Sequence, residues 1–217
     1  MAEKNVAFNE DYWNAFYQKF QRHTPSQFCV SIVTEIDEGA TIVELGSGNG
    51  RDSHYLASQG YITVALDLSH EAIKRCKEHA EKYDVLHSHF YQGDITNADD
   101  IAALVEKARE KSAGQRVVFY SRFVMHSIDQ EQESSFMTAL SDSMSTGEMI
   151  YFEFRSKEDE TLEKHYGGHY RRYIDTAKFT RALESRGFLT RYSITGQGMA
   201  KFKDEDPFVS RVIASKK

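Results

Sequence analysis

Apolar positions along this chain keep two alternating rhythms. Strand-length runs occur at Ile42 to Leu45, Tyr61 to Leu66, Leu86 to Tyr91, Gln115 to Tyr120 and Glu148 to Phe154. Their length and their β-branched and aromatic content predict buried strands. Between them, apolar residues recur at spacings of three and four: Ile73, Cys76 and Ala80, then Ile101, Leu104, Val105 and Ala108, then Phe136, Met137 and Leu140. That period predicts helices with one apolar face, with shorter helices over 52–58 and from Asp175 through Phe179 and Leu183. Strands alternating with helices imply an α/β fold, a doubly wound and mostly parallel sheet with helices on both faces.

The two ends depart from this alternation. Residues 9–36 read as two helices, the first carrying Tyr12, Trp13, Phe16, Tyr17 and Phe20, the second opened by Thr24 and Pro25. Aromatics so dense on one short helix suit a lid over a pocket or an amphipathic helix packed on the core. Residues 156–173 are polar, charged and glycine-containing, and are expected to form a loop or insertion with a short helix. Phe188 to Thr195 and Phe208 to Ala214 read as two strands joined across a charged link. No repeat, low-complexity tract or linker divides the chain. One domain over 1–217 is expected, with 1–38 as its helical lid.

Sheets of this kind bind ligands at the carboxyl ends of their strands. Four such ends are polar or glycine-rich here: Gly46 to Gly50, Asp67, Asp94 and Ser121 to His126. In the stretch Thr41 to Asp52 a strand breaks into glycines at alternate positions and a helix follows. Glycine there permits φ > 0 and removes a Cβ that would block a ligand. A strand, glycine turn and helix is also how α/β folds hold adenine nucleotides. The dinucleotide fingerprint wants a small residue where Arg51 stands, and Asp52 at the helix start opposes a pyrophosphate. A zwitterionic or cationic cofactor fits this acidic rim better. Asp67, about 20 residues on, is placed to accept bonds from ribose hydroxyls. The alternative for Asp67 is a helix cap, a role Ser69 already fills; the alternative for Asp94 is an Asx turn.

The net charge of −6 gives no global basic field to attract nucleic acid. Cys29 and Cys76 lack metal-ligand spacing, so neither zinc nor a disulfide is expected, but two buried thiols of a reducing compartment. The start, MAEKNVAFNEDYW, lacks the apolar core of a signal peptide, and no run of about 18 apolar residues occurs. A soluble, cytoplasmic protein without membrane insertion is the expectation.

Three blocks, Val43 to Gly50, Leu66 to Ser69 and Gly93 to Ile95, resemble in order and spacing the motifs of class I S-adenosylmethionine-dependent methyltransferases. The resemblance spans about 40–215. It implies a Rossmann-like, seven-stranded sheet closed by a C-terminal antiparallel hairpin, with S-adenosyl-L-methionine as cofactor. By the same resemblance, the methionine part lies on Gly46 and Gly48, and Asp67 takes the ribose hydroxyls. Asp94 meets the adenine amino group, the Ile95 amide meets a ring nitrogen, and Ser121 or Arg122 lines the cofactor. Glu44, Ser47, Asn49, Asp52 and Leu68 complete the expected cofactor wall.

Methyl transfer needs a nucleophile aligned with the sulfonium and often a base. The amino-methyltransferase signature after the fourth strand, Asp or Asn followed by two prolines and an aromatic, is replaced by Tyr120-Ser121-Arg122-Phe123. Together with the acidic net charge, this argues against nucleic-acid bases as acceptors. His126 is the expected catalytic base because imidazole titrates near neutral pH; a packed or capping histidine is the alternative. Lys164 to Tyr173 concentrates positive charge, phenols and imidazoles, and arginine forks match carboxylate or phosphate. His165, His169, Tyr170, Arg171 and Arg172, with Tyr17 from the first helix, are therefore expected to bind an anionic substrate, with Lys201 and Lys203 nearby. A solvated loop balancing Glu158, Asp159, Glu160 and Glu163 is the alternative.

The block 120–123 with His126, and the tail at 196–200 and 205–207, resemble small bacterial enzymes of surface-polysaccharide or phosphonate pathways. The expected reaction is O-methylation of a small phosphate, phosphonate, carboxylate or glycan acceptor, without a metal. N- or S-methylation, a catalytically silent cofactor-binding partner protein and an NAD-dependent oxidoreductase remain as alternatives.

Overall fold

The computed structural model describes residues 10–20, 22–165 and 169–217. Residues 1–9 of the expected lid and 166–168 of the expected insertion lie outside the described residues. Seven strands, β1 (Thr41–Leu45), β2 (Ile62–Asp67), β3 (Ser88–Gln92), β4 (Val117–Arg122), β5 (Met149–Arg155), β6 (Phe188–Gly196) and β7 (Val209–Lys216), form one sheet in the order β3-β2-β1-β4-β5-β7-β6. β1 to β5 run parallel, while β7 lies antiparallel between β5 and β6. This is the Rossmann-like sheet and reversed hairpin expected. The third strand begins two residues later than its apolar run, because Leu86 stands out in solvent at 71% exposure.

Side chains alternate across the pleat, and each face has its own core. Val43, Leu45, Val64, Phe119 and Phe152 point to one face, against α5 (Ala98–Ser112), α6 (Gln130–Ser143) and α7 (Thr176–Glu184). Ile42, Val118, Tyr120 and Tyr151 point to the other, where Phe28 and Ile32 of α2 (Gln27–Ile32) and Leu56 of α3 (Arg51–Ser58) cover them. β1 is buried on both faces, as a central parallel strand must be. α1 (Glu10–Lys19) packs on α4 (His70–Lys82), whose N-terminus Ser69 caps by accepting the Ala72 amide. Asp175 and Asp129 cap α7 and α6 in the same way.

The cap of α2 is Ser26 rather than Thr24 or Pro25, and it depends on a distant carboxylate. Asp52 accepts the Ser26 amide at 2.7 Å, the Ser26 hydroxyl at 2.8 Å and the Tyr120 hydroxyl at 2.9 Å. Asp52 is 3% exposed, so it clasps α2 onto α3 and β4 from inside the protein. Beside it, Glu44 is buried and accepts the Ser53 hydroxyl; burial, then the Asp52 charge, raises its carboxyl well above the usual range. No described helix is long and apolar enough to cross a membrane.

Asp52→Ala leaves three buried donors without their acceptor, each worth about 1–3 kcal/mol when unsatisfied. Urea denaturation should show a loss of about 3 kcal/mol. A loss below about 1 kcal/mol would show that the clasp contributes little.

Candidate active site

β1 sits between β2 and β4, where successive connections leave to opposite faces of the sheet. Ligands of doubly wound sheets bind at such a switch point. A cavity of about 300 Å³ opens there, at the carboxyl ends of the parallel strands. Its floor is the turn after β1. Gly46 (φ +85°), Gly48 (φ +55°) and Gly50 (φ +74°) all take left-handed conformations that only glycine adopts without strain. A Cβ on Gly46 would lie 2.2 Å from Val124, and one on Gly48 would lie 2.4 Å from the Tyr17 hydroxyl. The turn is held from below, where the Cys76 thiol donates to the Gly48 carbonyl at 3.2 Å. Cys29 and Cys76 are both free and buried.

The end of β2 grips the same turn. Asp67 accepts the Gly48 amide at 2.7 Å on one oxygen and the Ser69 amide at 2.9 Å on the other. Burial raises its carboxyl to about 6, although these two N–H donors pull the other way. Asp94, after β3, forms the Asx turn, accepting the Thr96 amide at 2.7 Å and hydroxyl at 2.8 Å on a single oxygen. Its other oxygen accepts nothing among the described residues, and Asp94 and Ile95 line the cavity. The turn role and a ligand role are thus compatible.

Past β4 and β5 the cavity turns basic. Arg122 donates to buried Glu153 at 2.7 Å, and Arg211 reaches the other oxygen of Glu153 at 2.8 Å. One carboxylate between two guanidiniums leaves local positive charge in excess. Arg155 is held by Asp159 at 2.6 Å and by Glu205. The Phe123 ring lies 4.0 Å from the Arg122 guanidinium and 5.6 Å from that of Arg155. Phe123 itself stands at φ +60°, a strained conformation for an aromatic residue and one that clusters at functional sites. Arg171 donates toward the His169 ring at 3.0 Å, and that ring also meets the Tyr12 hydroxyl at 2.9 Å.

His126 is buried in the single 3₁₀ turn after β4. Its Nδ1 accepts the Arg155 amide at 3.3 Å. Burial first, then the charges of Arg155 and Arg171, hold its pKa well below the ordinary imidazole value. A histidine whose Nδ1 is already an acceptor keeps its proton on Nε2 and is a neutral donor. That geometry does not suit the base expected from sequence.

Among the expected cofactor residues, Glu44, Gly46, Ser47, Gly48, Asn49, Asp52, Asp67, Leu68, Asp94, Ile95 and Arg122 line this cavity. Ser121 does not; its hydroxyl donates to the Leu45 carbonyl at 3.0 Å. The Asp52 carboxylate borders the cavity but is taken up by Ser26 and Tyr120. Among the expected substrate residues, Tyr17, His169 and Arg171 line the cavity, while His165, Tyr170 and Arg172 do not. Arg172 turns inward to Glu133 at 2.6 Å and to the Met125 and Ile128 carbonyls. Tyr17 stands over Gly48, and burial, then the Asp67 charge, raises its phenol. That places it on the Asp67 side of the cavity. Sequence reasoning missed Arg22, Arg155 and Glu205 in the cavity wall and Glu153 behind it. Only their fold neighbours reveal them.

Residues 36–139 match a family model described as a methyltransferase domain. No curated protein sequence matches the chain. Among solved structures, an S-adenosylmethionine-dependent methyltransferase from Anabaena variabilis is 18% identical, with a TM-score of 0.73 over 100% of this chain and 99% of that one. A protein studied for conversion of a disulfide bond into a thioacetal group in echinomycin biosynthesis is 13% identical, with a TM-score of 0.70 over 96% and 93%. A glycopeptide N-methyltransferase with S-adenosylmethionine bound is 15% identical, with a TM-score of 0.66 over 89% and 95%. These structures share the fold. With the methyltransferase-domain match over residues 36–139, the group to be accommodated is S-adenosyl-L-methionine.

The cavity fits that group. The buried Ser47 hydroxyl of the glycine turn has no partner among the described residues. Asp67 is a carboxylate that burial disfavours and that further hydrogen-bond donors would stabilise. Asp67 must be ionised to accept two hydroxyls, and its carboxyl is raised to about 6. Below that pH it is protonated, so calorimetric affinity for S-adenosylhomocysteine should fall up to about tenfold per pH unit. Asp67→Asn should bind weakly and without this pH dependence. An unchanged profile in the variant would remove Asp67 from the site.

Proposed function

We propose that the enzyme methylates oxygen on a small anionic acceptor: a phosphate, a phosphonate or a carboxylate, free or on a glycan end. The observation that carries this reading is the company His126 keeps. Arg122, Arg155 and Arg171 share its cavity, and its own Nδ1 is occupied with its pKa depressed. An acceptor that is already an oxyanion needs no base, and guanidiniums both attract and orient it. A protonated amine or a thiol would have to lose a proton first, which a depressed imidazole is poorly suited to take.

When bound, S-adenosylmethionine supplies the methyl group on a sulfonium centre. Gly46 to Gly48, the Ser47 hydroxyl and the N-terminus of α3 with Arg51 would receive its methionine end. Asp67 would receive the ribose, and Asp94 with the Ile95 amide the adenine. Arg122 and Arg171 then hold the acceptor, and His126 donates to it through Nε2. Arg172 works from behind: its amide donates to the His126 carbonyl at 2.8 Å, which fixes the turn carrying His126.

Arg171→Ala should raise the acceptor KM about tenfold or more, since hydrogen bonds to charged groups contribute about 1.5–3 kcal/mol. Its affinity for S-adenosylhomocysteine should not change. The rate with a fully ionised acceptor should stay flat from about pH 6.5 to 8.5, because the His126 pKa is held well below the ordinary imidazole value. A limb near pH 6.5 that disappears in His126→Gln would restore His126 as the base and contradict this mechanism.

A further inference from the structure

The cavity also describes the body of the acceptor, a step that rests on the methyltransferase reading above. Its basic wall is faced by α1. Tyr12, Trp13, Phe16 and Tyr17 all line the cavity from that helix, with Phe20 just beyond its end. Trp13 and Tyr17 are stacked, with centroids 6.0 Å apart and planes 27° from parallel; Tyr12 and Phe16 stack at 6.3 Å and 22°. α1 is anchored to the rest of the protein by polar contacts. The Ser69 hydroxyl donates to Asn14 at 2.7 Å, and Arg75 donates to the Gln18 carbonyl at 2.6 Å. Phe202 adds a further ring to the cavity wall, with the Arg22 guanidinium 4.9 Å from its centroid.

The carboxylates that could read hydroxyls on such a body are engaged elsewhere. Asp52 serves Ser26 and Tyr120, Glu44 serves Ser53, and Glu205 serves Arg155 and the His165 amide. The Asn49 amide donates to the Arg22 carbonyl at 2.8 Å. Asp67 and Asp94 belong to the cofactor in the proposed reading. A sugar ring placed against α1 would surrender water from each hydroxyl, at about 1–3 kcal/mol for each left unpaired. A flat apolar ring there gains about 25 cal/mol per Å² of surface buried, and ring–ring contacts add to that.

We propose that the acceptor is an aromatic oxyanion, a planar apolar body ending in a carboxylate, phosphate or phosphonate. The body lies against α1 and the anionic head lies at Arg122 and Arg171. In the transfer, an oxygen lone pair of the head forms the new O–CH₃ bond as the S–CH₃ bond breaks and its electron pair returns to sulfur. The oxyanion and sulfonium charges cancel, leaving a neutral thioether and a methyl ester. No proton moves.

The chain contains one tryptophan, Trp13, so its emission reports on this face directly. The test is a fluorescence titration of the full-length protein saturated with S-adenosylhomocysteine. The probes are benzoate, phenylphosphonate, benzyl alcohol and glucose 6-phosphate. Benzoate or phenylphosphonate should give a saturable change at least tenfold tighter than glucose 6-phosphate and benzyl alcohol. Arg171→Gln should weaken both oxyanions at least tenfold, while Phe16→Leu weakens the aromatic probes alone. Equal or tighter binding of glucose 6-phosphate overturns the proposal, and so does absence of binding by both aromatic oxyanions. Calorimetry with S-adenosylhomocysteine is run first and separately. Failure there counts against the cofactor reading, and the same titration without it still decides the acceptor class.

Discussion

The structure turns on the hydrogen bond from the Gly48 amide to the Asp67 carboxylate, 2.7 Å long. It ties the tip of the turn after β1 to the end of β2, and so sets the cavity floor against its side wall. The other Asp67 oxygen takes the Ser69 amide, at the cap where α4 begins. Ser69 in turn anchors α1 through Asn14, and α1 brings Tyr17 down over Gly48. Floor, wall and cover are therefore linked through one carboxylate. The fold holds that carboxylate in surroundings that disfavour its charge, as its rise to about 6 shows. Sites that hold a poorly solvated group in place are poised for a ligand that will solvate it.

The cavity has two poles. Asp67 and Asp94 make one end acidic, while Arg122, Arg155 and Arg171 make the other basic. An acidic pole suits a cationic donor with free hydroxyls and an amino group; a basic pole suits an anionic acceptor. Opposite charges on donor and acceptor would bring the reacting atoms together between the poles, where each pole's field is least opposed. His126 lies at the basic pole, and its low pKa follows from burial first and then from the same arginines that would bind the acceptor. Recruiting an oxyanion and running a histidine base at neutral pH are competing demands on one set of charges.

The fold was legible because it is written in local periods. Runs such as Ile42 to Leu45 and spacings such as Ile101, Leu104, Val105 and Ala108 fix strands and helices without long-range information. The residues at strand ends were legible too, because the parallel topology forces Gly46, Asp67 and Asp94 to one edge. What could not be read was pairing across the chain. Ser121 looks like a cofactor contact until β1 supplies the Leu45 carbonyl, and Arg172 looks like a substrate arginine until α6 supplies Glu133. Asp52 likewise seems set to repel phosphate at its helix start, yet Ser26 and Tyr120 absorb it. In each case a polar side chain in a promising place is satisfied by a partner 26 to 76 residues away. No local pattern encodes that.

The central claim is that this cavity binds S-adenosylmethionine at its acidic pole and leaves the basic pole to the acceptor. A crystal structure with S-adenosylhomocysteine tests it most directly. The account predicts ribose hydroxyls within hydrogen-bond distance of Asp67, adenine beside Asp94 and Ile95, and no ligand atom bonded to Arg171. A ligand whose ribose avoids Asp67, or whose charged end occupies Arg122 and Arg171, would contradict it.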